Sequence, residues 1–281
     1  GVSIGGYGEM VYDNYSALKD DGSASSQADK IDFYRNVLYI GYKFSDSLIF
    51  NSEVEFEHAN TGKSGEVEVE LAYVDYLWKP ELSLRSGLML IPVGIYNEIH
   101  EPPTFYTARR PELEQKVIPT TWSANGGGIF GQLGDHWNYR LYVCESFNVL
   151  GTTSNITSSG LRSARQSGSS AYAQDFAFAG RLDYQWSASA VTGVSFFNGG
   201  IDQDRLSGVQ SSVLLWDIHH RMKQGPWELR GVYAESNISN ADQLNTYFGF
   251  TGSSSIAAKQ RGYYVEGAYD LLTLLTVNSD N

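Results

Sequence analysis

The sequence predicts an all-β fold, an up-and-down antiparallel barrel whose strands cross a membrane. Three observations lead there. Polar and apolar residues alternate with a period of two along about a dozen segments. The connections between those segments are short and long by turns. Most of the tryptophans stand beside the short ones.

Composition sets the outer bounds. The chain has 281 residues, enough for one large β domain or two small ones. Hydrophobic residues make up 42%, yet no run approaches the roughly 18 apolar residues that a membrane helix needs. Tyrosine (19) and glycine (29) are abundant, whereas proline (7) and methionine (3) are scarce. Tyrosine suits strands and membrane interfaces; glycine suits turns and crowded walls. A net charge of −12 argues against a nucleic-acid partner. The single cysteine, Cys144, has no partner for an internal disulfide. The start, "GVSIGGYGEMVYDNY", has neither a charged n-region nor a long h-region. It reads as a mature or trimmed N-terminus, so export is an inference.

The stretch "NSEVEFEHANTGKSGEVEVELAYVDYLW" carries the alternation most plainly. Glu53, Glu55 and Glu57, then Glu66, Glu68 and Glu70, take one face of two strands. Val54, Phe56, Val67, Val69 and Leu71 take the other. In a soluble sandwich the apolar face would meet a second sheet. In a membrane barrel it would meet lipid, and the glutamates would line a wet interior.

The rest of the chain decides between them. Strand-like runs begin near Val2, Ile31, Ile49, Glu66, Ser83, Gly126, Trp137, Phe176, Ala190, Ser212, Trp227 and Gln260. That is roughly twelve strands of about ten residues, the length of a tilted membrane strand. The short connections are 45–48, 79–82, 134–137, 187–189 and 223–226. The long ones are 16–30, 58–65, 94–125, 149–175, 198–211 and 237–259. Up-and-down barrels of outer membranes sort their loops this way; a Greek-key sandwich has no reason to.

Individual runs agree. In "FAFAGRLDYQW", Phe176, Phe178, Leu182, Tyr184 and Trp186 oppose Arg181, Asp183 and Gln185. In "RNVLYIGYKF", Leu38, Ile40, Tyr42 and Phe44 oppose Arg35 and Lys43. In "LLWDIHHRM", Leu214, Trp216 and Ile218 oppose Asp217, His219 and Arg221. Segment 190–197 is ambiguous and "IFGQLGD" is weak. Asp75 breaks its strand's pattern beside an expected turn, where a charge costs little. Phe44, Trp78, Trp137, Trp186 and Trp227 lie at or beside short turns. They form either an aromatic girdle at a membrane interface or a cap on a soluble core; their clustering by loop class favours the girdle.

The segment "AYVDYLWKPELSLRSGLMLIPVGIYNE" (72–98) resembles a strand–turn–strand of the phosphate-selective porin O and P family of bacterial outer membranes. "GYYVEGAY" (262–269) is similar to a late strand of the same family, and the segments between follow in order and spacing. The resemblance covers most of the chain. It implies an outer-membrane barrel, often trimeric, with sixteen strands in the best-known members. About four strands would then be missing after residue 272, as the run ending "TLLTVNSDN" suggests; closure at about twelve strands with a ragged tail is the alternative. Phosphate-selective members use an arginine ladder and a lysine cluster. Inward arginines are present here, a lysine cluster is not found, and the acidic strands run against a uniformly anion-selective lumen.

Two groups of residues could carry selectivity. The long segment 94–125 is too long for an ordinary hairpin loop. Folded into the lumen it would form a constriction carrying Glu98, Glu101, Arg109, Arg110, Glu112, Glu114 and Lys116. The alternative is a solvated external lid. Basic inward positions recur at Arg35, Lys43, Arg85, Arg140, Arg181, Arg221 and Arg230. Against the six glutamates, with Asp183 and Asp217, they suggest a field across the pore; equally, the charges could simply pair.

Catalysis has little support. The histidines are His58, His100, His136, His219 and His220; the last two, adjacent on a strand, face opposite sides and cannot chelate together. No spacing fits zinc or haem, and no cofactor or metal is expected. The expectation is a single β-barrel, C-terminally incomplete, in the bacterial outer membrane. It would pass small hydrophilic solutes or ions, with outer-membrane lipid around it and a homotrimer as its assembly. A scaffold barrel gripping a partner protein is the other reading, and the Ser/Gly-rich 149–175 loop could serve it.

Overall fold

The computed structural model describes residues 1–275 apart from 61, 63, 64, 151–159 and 207. Parts of the 58–65 and 149–175 loops and the end of "TLLTVNSDN" therefore lie outside the described residues. Twelve antiparallel strands form one sheet in sequence order. They are β1 (Val2–Asp13), β2 (Lys30–Lys43), β3 (Leu48–Glu57), β4 (Val67–Lys79), β5 (Leu82–Leu90), β6 (Ser123–Leu133), β7 (Trp137–Glu145), β8 (Phe176–Ser187), β9 (Ala190–Gly200), β10 (Ser212–Gln224), β11 (Trp227–Ile238) and β12 (Lys259–Tyr269). The short connections are 44–47, 80–81, 134–136, 188–189 and 225–226, and the long ones alternate with them. Among the described residues no helix is long and apolar enough to cross a membrane.

The chain divides into two compact units, 1–74 and 75–281. In the first, register places Arg35 opposite Glu9 and Glu57, and Val37 opposite Tyr7 and Glu55. Arg35, Val37, Glu53 and Glu55 are buried on this face. Ile4, Ile40, Tyr42 and Phe56 are exposed on the other. The side-chain period of two thus puts charge inside and oil outside, as a membrane strand requires.

In the second unit the same sorting runs through eight strands. Leu141, Phe178, Leu182, Val194, Phe196, Leu214 and Ile218 are exposed outward. Arg181, Asp183, Asp217 and His219 are buried inward. The inner face has two tiers. Toward the short turns it is charged; toward the long loops it is apolar, with Phe197, Val213 and Leu215 fully buried. There Trp122, Phe147 and Phe197 form an aromatic cluster with centroids 4.5–5.2 Å apart. The apolar tier explains why 190–197 was ambiguous: Val191 and Phe197 face in while Val194 and Phe196 face out, so both faces read as apolar.

Asp75 corrects one expectation. It is not a cheap charge beside a turn but a buried carboxylate that accepts from Arg85 Nε and Nη2, both at 2.8 Å.

Candidate functional site

The 91–122 segment lies against the inner face of the second unit. Asn97 ties its two ends together. Its Nδ2 donates to the carbonyls of Ile91 (2.7 Å) and Trp122 (2.8 Å), and its Oδ1 accepts from Trp122 N (2.7 Å). The chain from Ile91 to Asn97 belongs to no helix or strand, so a side-chain amide supplies the hydrogen bonds its backbone lacks. Next to it, Gly94 N donates to Asp217 Oδ2 at 2.9 Å, and Arg181 Nη1 donates to Gly94 O at 2.5 Å. Gly94 has φ +74°, and a Cβ there would stand 2.7 Å from a Glu114 oxygen, so both its conformation and its neighbour call for glycine.

Glu114 lies in a single helical turn, α1 (Leu113–Lys116). Its fully buried carboxylate accepts from Ile95 N (3.2 Å), Tyr96 N (2.6 Å) and the Tyr264 hydroxyl on β12 (2.6 Å). Burial outweighs those three donors and pushes the carboxyl up to about 7. Farther along, Tyr96 donates to Glu266 Oε2 at 2.6 Å and accepts from Arg230 Nη1 at 3.0 Å. The Tyr106 hydroxyl donates to Glu228. Burial, then that carboxylate, pushes the Tyr106 phenol up to about 12. Glu98 meets Arg140 at 3.1 Å and Arg181 at 3.7 Å. The other charges of the segment differ. Arg109, Glu112 and Lys116 are exposed, Glu101 is half-buried, and Arg110 stacks 5.5 Å from the Phe105 ring.

The inward basic residues are mostly paired. Arg35 meets Glu9 (2.8 Å) and Glu55 (2.7 Å), and Arg85 meets Asp75. Arg140 and Arg181 share Glu98 and Asp183, and Arg230 reaches Glu228 at 3.8 Å. Lys43 is exposed at the β2–β3 turn and pairs with Asp46. Arg221 stands apart: among the described residues no ion pair reaches it, and its buried Nε has no hydrogen-bond partner. It lines a cavity of about 290 Å³ with Tyr106, Gln185, Ser189, Lys223, Glu228 and Arg230. Of the acidic residues, Glu53, Glu55 and Glu70 are buried, Glu57 and Glu68 are half-buried, and Glu66 is exposed just before β4.

Asp183 and Asp217 meet at His219, which the alternation of its strand places inward but which the sequence does not pair with either aspartate. His219 Nε2 lies 2.9 Å from Asp183 Oδ1, and its Nδ1 lies 2.6 Å from Asp217 Oδ1. Cross-strand register Asp183–Gly193–His219 makes the cluster possible. A Cβ on Gly193 would stand 2.1 Å from Asp183 Oδ1 and 2.3 Å from His219 Nε2. A glycine flanked across the sheet by two inward charged positions was the available signal.

The aromatic residues at the short turns point outward. Phe44, Trp78, Trp137, Trp186 and Trp227 are all exposed. Trp137 and Trp186 each pack edge-on to Tyr184 at 4.7 Å, and Trp227 to Tyr269 at 4.7 Å. The 149–175 loop turns inward as well: residues 160–164 form a buried 3₁₀ turn, and Asn148 N bonds Ala164 O at 2.8 Å.

The chain is similar to the outer-membrane protein OmpF of Salmonella typhi, solved as a complex with daunomycin: TM-score 0.57 at 13% identity, covering 95% of this chain and 74% of that one. The fold is a porin-like transmembrane β-barrel. A likeness to OmpT of Vibrio cholerae in its trimer form is looser, with TM-score 0.42 at 12% identity over 95% of this chain and 84% of that one. In sequence, the porin-like chain is 38% identical over 280 residues to an uncharacterized protein of Aquifex aeolicus (strain VF5), covering 97% of this chain. It spans 62% of that relative's length. No family model matches.

Proposed function

We propose that the porin-like chain is a channel of the bacterial outer membrane for passive diffusion of small hydrophilic solutes or ions. One observation carries the reading. The face of β8, β10, β11 and β12 opposite the lipid-type apolar surface bears charge, and the 91–122 segment lays further charged and aromatic groups on it. Such a lining favours hydrated solutes and biases which of them pass. Extensive ion pairing leaves little net field from Arg35, Arg85, Arg140 and Arg181, so phosphate selectivity of the arginine-ladder kind has weak support. A homotrimer embedded in outer-membrane lipid belongs to this reading. Chemical cross-linking of purified protein would count its subunits. Insertion into planar bilayers tests conduction: ohmic, salt-dependent steps are expected.

A second reading is a scaffold barrel that holds a partner protein. The apolar tier of Trp122, Phe147, Phe197, Val213 and Leu215 favours it, since it fills the inner face toward the long loops. Stoichiometric co-purification of a partner with non-conducting protein would establish it.

A further inference from the structure

We infer that His219 is a positioning residue for the 91–122 segment, and that a single proton on its imidazole sets how firmly the segment's start is held against the barrel wall.

An ionised carboxylate can only accept hydrogen bonds. His219 places one ring nitrogen against Asp183 (2.9 Å) and the other against Asp217 (2.6 Å). Both contacts are hydrogen bonds only when both nitrogens carry protons. A neutral ring would turn a lone pair toward one of the two aspartates. No exposed surface of the His219 side chain remains, so water cannot take over the lost bond.

Both aspartates also hold the segment. Asp217 Oδ2 accepts from Gly94 N at 2.9 Å and from the Ser195 hydroxyl. Asp183 accepts from Arg181 Nε at 2.8 Å, and the same guanidinium donates to Gly94 O. Both polar groups of the Gly94 backbone therefore hang on carboxylates that His219 orients.

Charge gives the sign. The groups around His219 are Arg181 and Asp183 on β8, Asp217 and Arg221 on β10, Arg140 on β7, and Glu98 and Glu114 on the segment. The β11 positions beside it, Val232 and Ala234, are apolar. With His219 protonated, four cations face Asp183, Asp217 and Glu98. Without that proton the cation bonded to Asp217 is gone, and the repulsion of Asp217 by Glu114 beside Gly94 is no longer offset there. Gly193 leaves the space that lets the Asp183–His219 contact form at all. The electrical consequence rests on the channel reading above; the structural one does not.

The test follows the segment between about pH 5 and 10 in detergent-solubilised, full-chain protein. Amide exchange of Gly94, whose N–H donates to Asp217, reports the tether after correction for the intrinsic rate; Ile95 and Tyr96 donate to Glu114 instead. Single-channel recordings report the pore. Wild type is expected to show one transition on deprotonation, with exchange about tenfold faster or more, as befits losing a hydrogen bond to a charged group. Open-channel current noise rises with it. His219→Gln removes the transition and exchanges fast at every pH. Glu114→Gln, which silences the other nearby titrating group, keeps it. Should His219→Gln fail to fold, Asp183→Asn serves instead, and its transition moves to lower pH. No transition in wild type, or one that survives His219→Gln, or one that Glu114→Gln abolishes, overturns the inference. Protein that conducts at no pH overturns the channel reading instead, and the exchange data still decide the role of His219.

Discussion

The guanidinium of Arg230 lies 3.9 Å from the centre of the Tyr106 ring, and its Nη1 donates to the Thr104 carbonyl at 2.8 Å. With the Tyr96 hydroxyl, which also accepts from Nη1, one side chain of β11 thus grips three points of the inward segment. Replacing it with alanine removes a cation–π contact and a charge-assisted bond, worth about 1–2 kcal/mol together. Arg230→Ala should speed amide exchange around residues 104–106 by roughly 5–30-fold, with the barrel intact by heat-modifiable electrophoresis. Unchanged exchange there would remove Arg230 from the anchoring scheme.

The buried Asp75–Arg85 pair should respond sharply to the loss of one partner. Asp75→Asn takes the charge partner from a half-buried guanidinium, a change that costs about 1–3 kcal/mol. The urea midpoint in detergent should fall, and replacing both partners with apolar residues should restore part of the loss. A midpoint that does not move would mean water already reaches Arg85.

Gly193 makes a steric prediction. An added methyl would lie inside the contact distance of Asp183 Oδ1 and His219 Nε2. Gly193→Ala should therefore destabilise by about 1–3 kcal/mol. Gly134, whose added Cβ meets nothing within 4 Å, is the paired site, although its φ of +60° brings some backbone strain of its own. If alanine at 193 costs no more than at 134, the Asp183–His219 contact is not the constraint.

Glu114 sets a pH dependence. Its carboxyl is pushed from 4.5 up to about 7 by burial, so the folded chain binds a proton that the unfolded chain has lost. The stability associated with that proton is complete below about 4.5 and is lost as pH rises toward 7. The full change is on the order of 3 kcal/mol. Glu114→Gln should flatten the fall in urea midpoint across that window. A wild-type midpoint that rises through the window would show that the three donors outweigh burial.

Arg221 should matter for ion preference more than the paired arginines do. It faces a cavity with Lys223 and Arg230 and has no ion pair among the described residues. Arg221→Gln is expected to shift the reversal potential in a KCl gradient toward cations. Arg35→Gln, which takes a charge away from Glu9 and Glu55, removes compensation rather than a free cation, so it serves as the contrast. Equal shifts from both would argue that pairing does not quench these charges.

Strands were far more legible in this sequence than the site. Alternation with a period of two located β1, β8, β10 and β11 because only one of their faces meets lipid. Where the inner face is itself apolar, as in β9, the signal vanished, because Val191 and Phe197 look like Val194 and Phe196. Tight turns fix register, so the Asp183–Gly193 pairing was implicit in the 188–189 turn, whereas the Gly193–His219 pairing across the long 201–211 connection was not. The 91–122 contacts were not implicit. Glu114 reaches Tyr264 across 150 residues, and Asn97 bridges Ile91 and Trp122 through geometry no period encodes.

Planar-bilayer conductance of the purified, folded protein tests the channel reading most directly. Ohmic steps whose size scales with KCl concentration are expected, with reversal potentials that shift in Arg221→Gln. Folded protein that inserts and passes no current, at any salt or pH, would contradict the account.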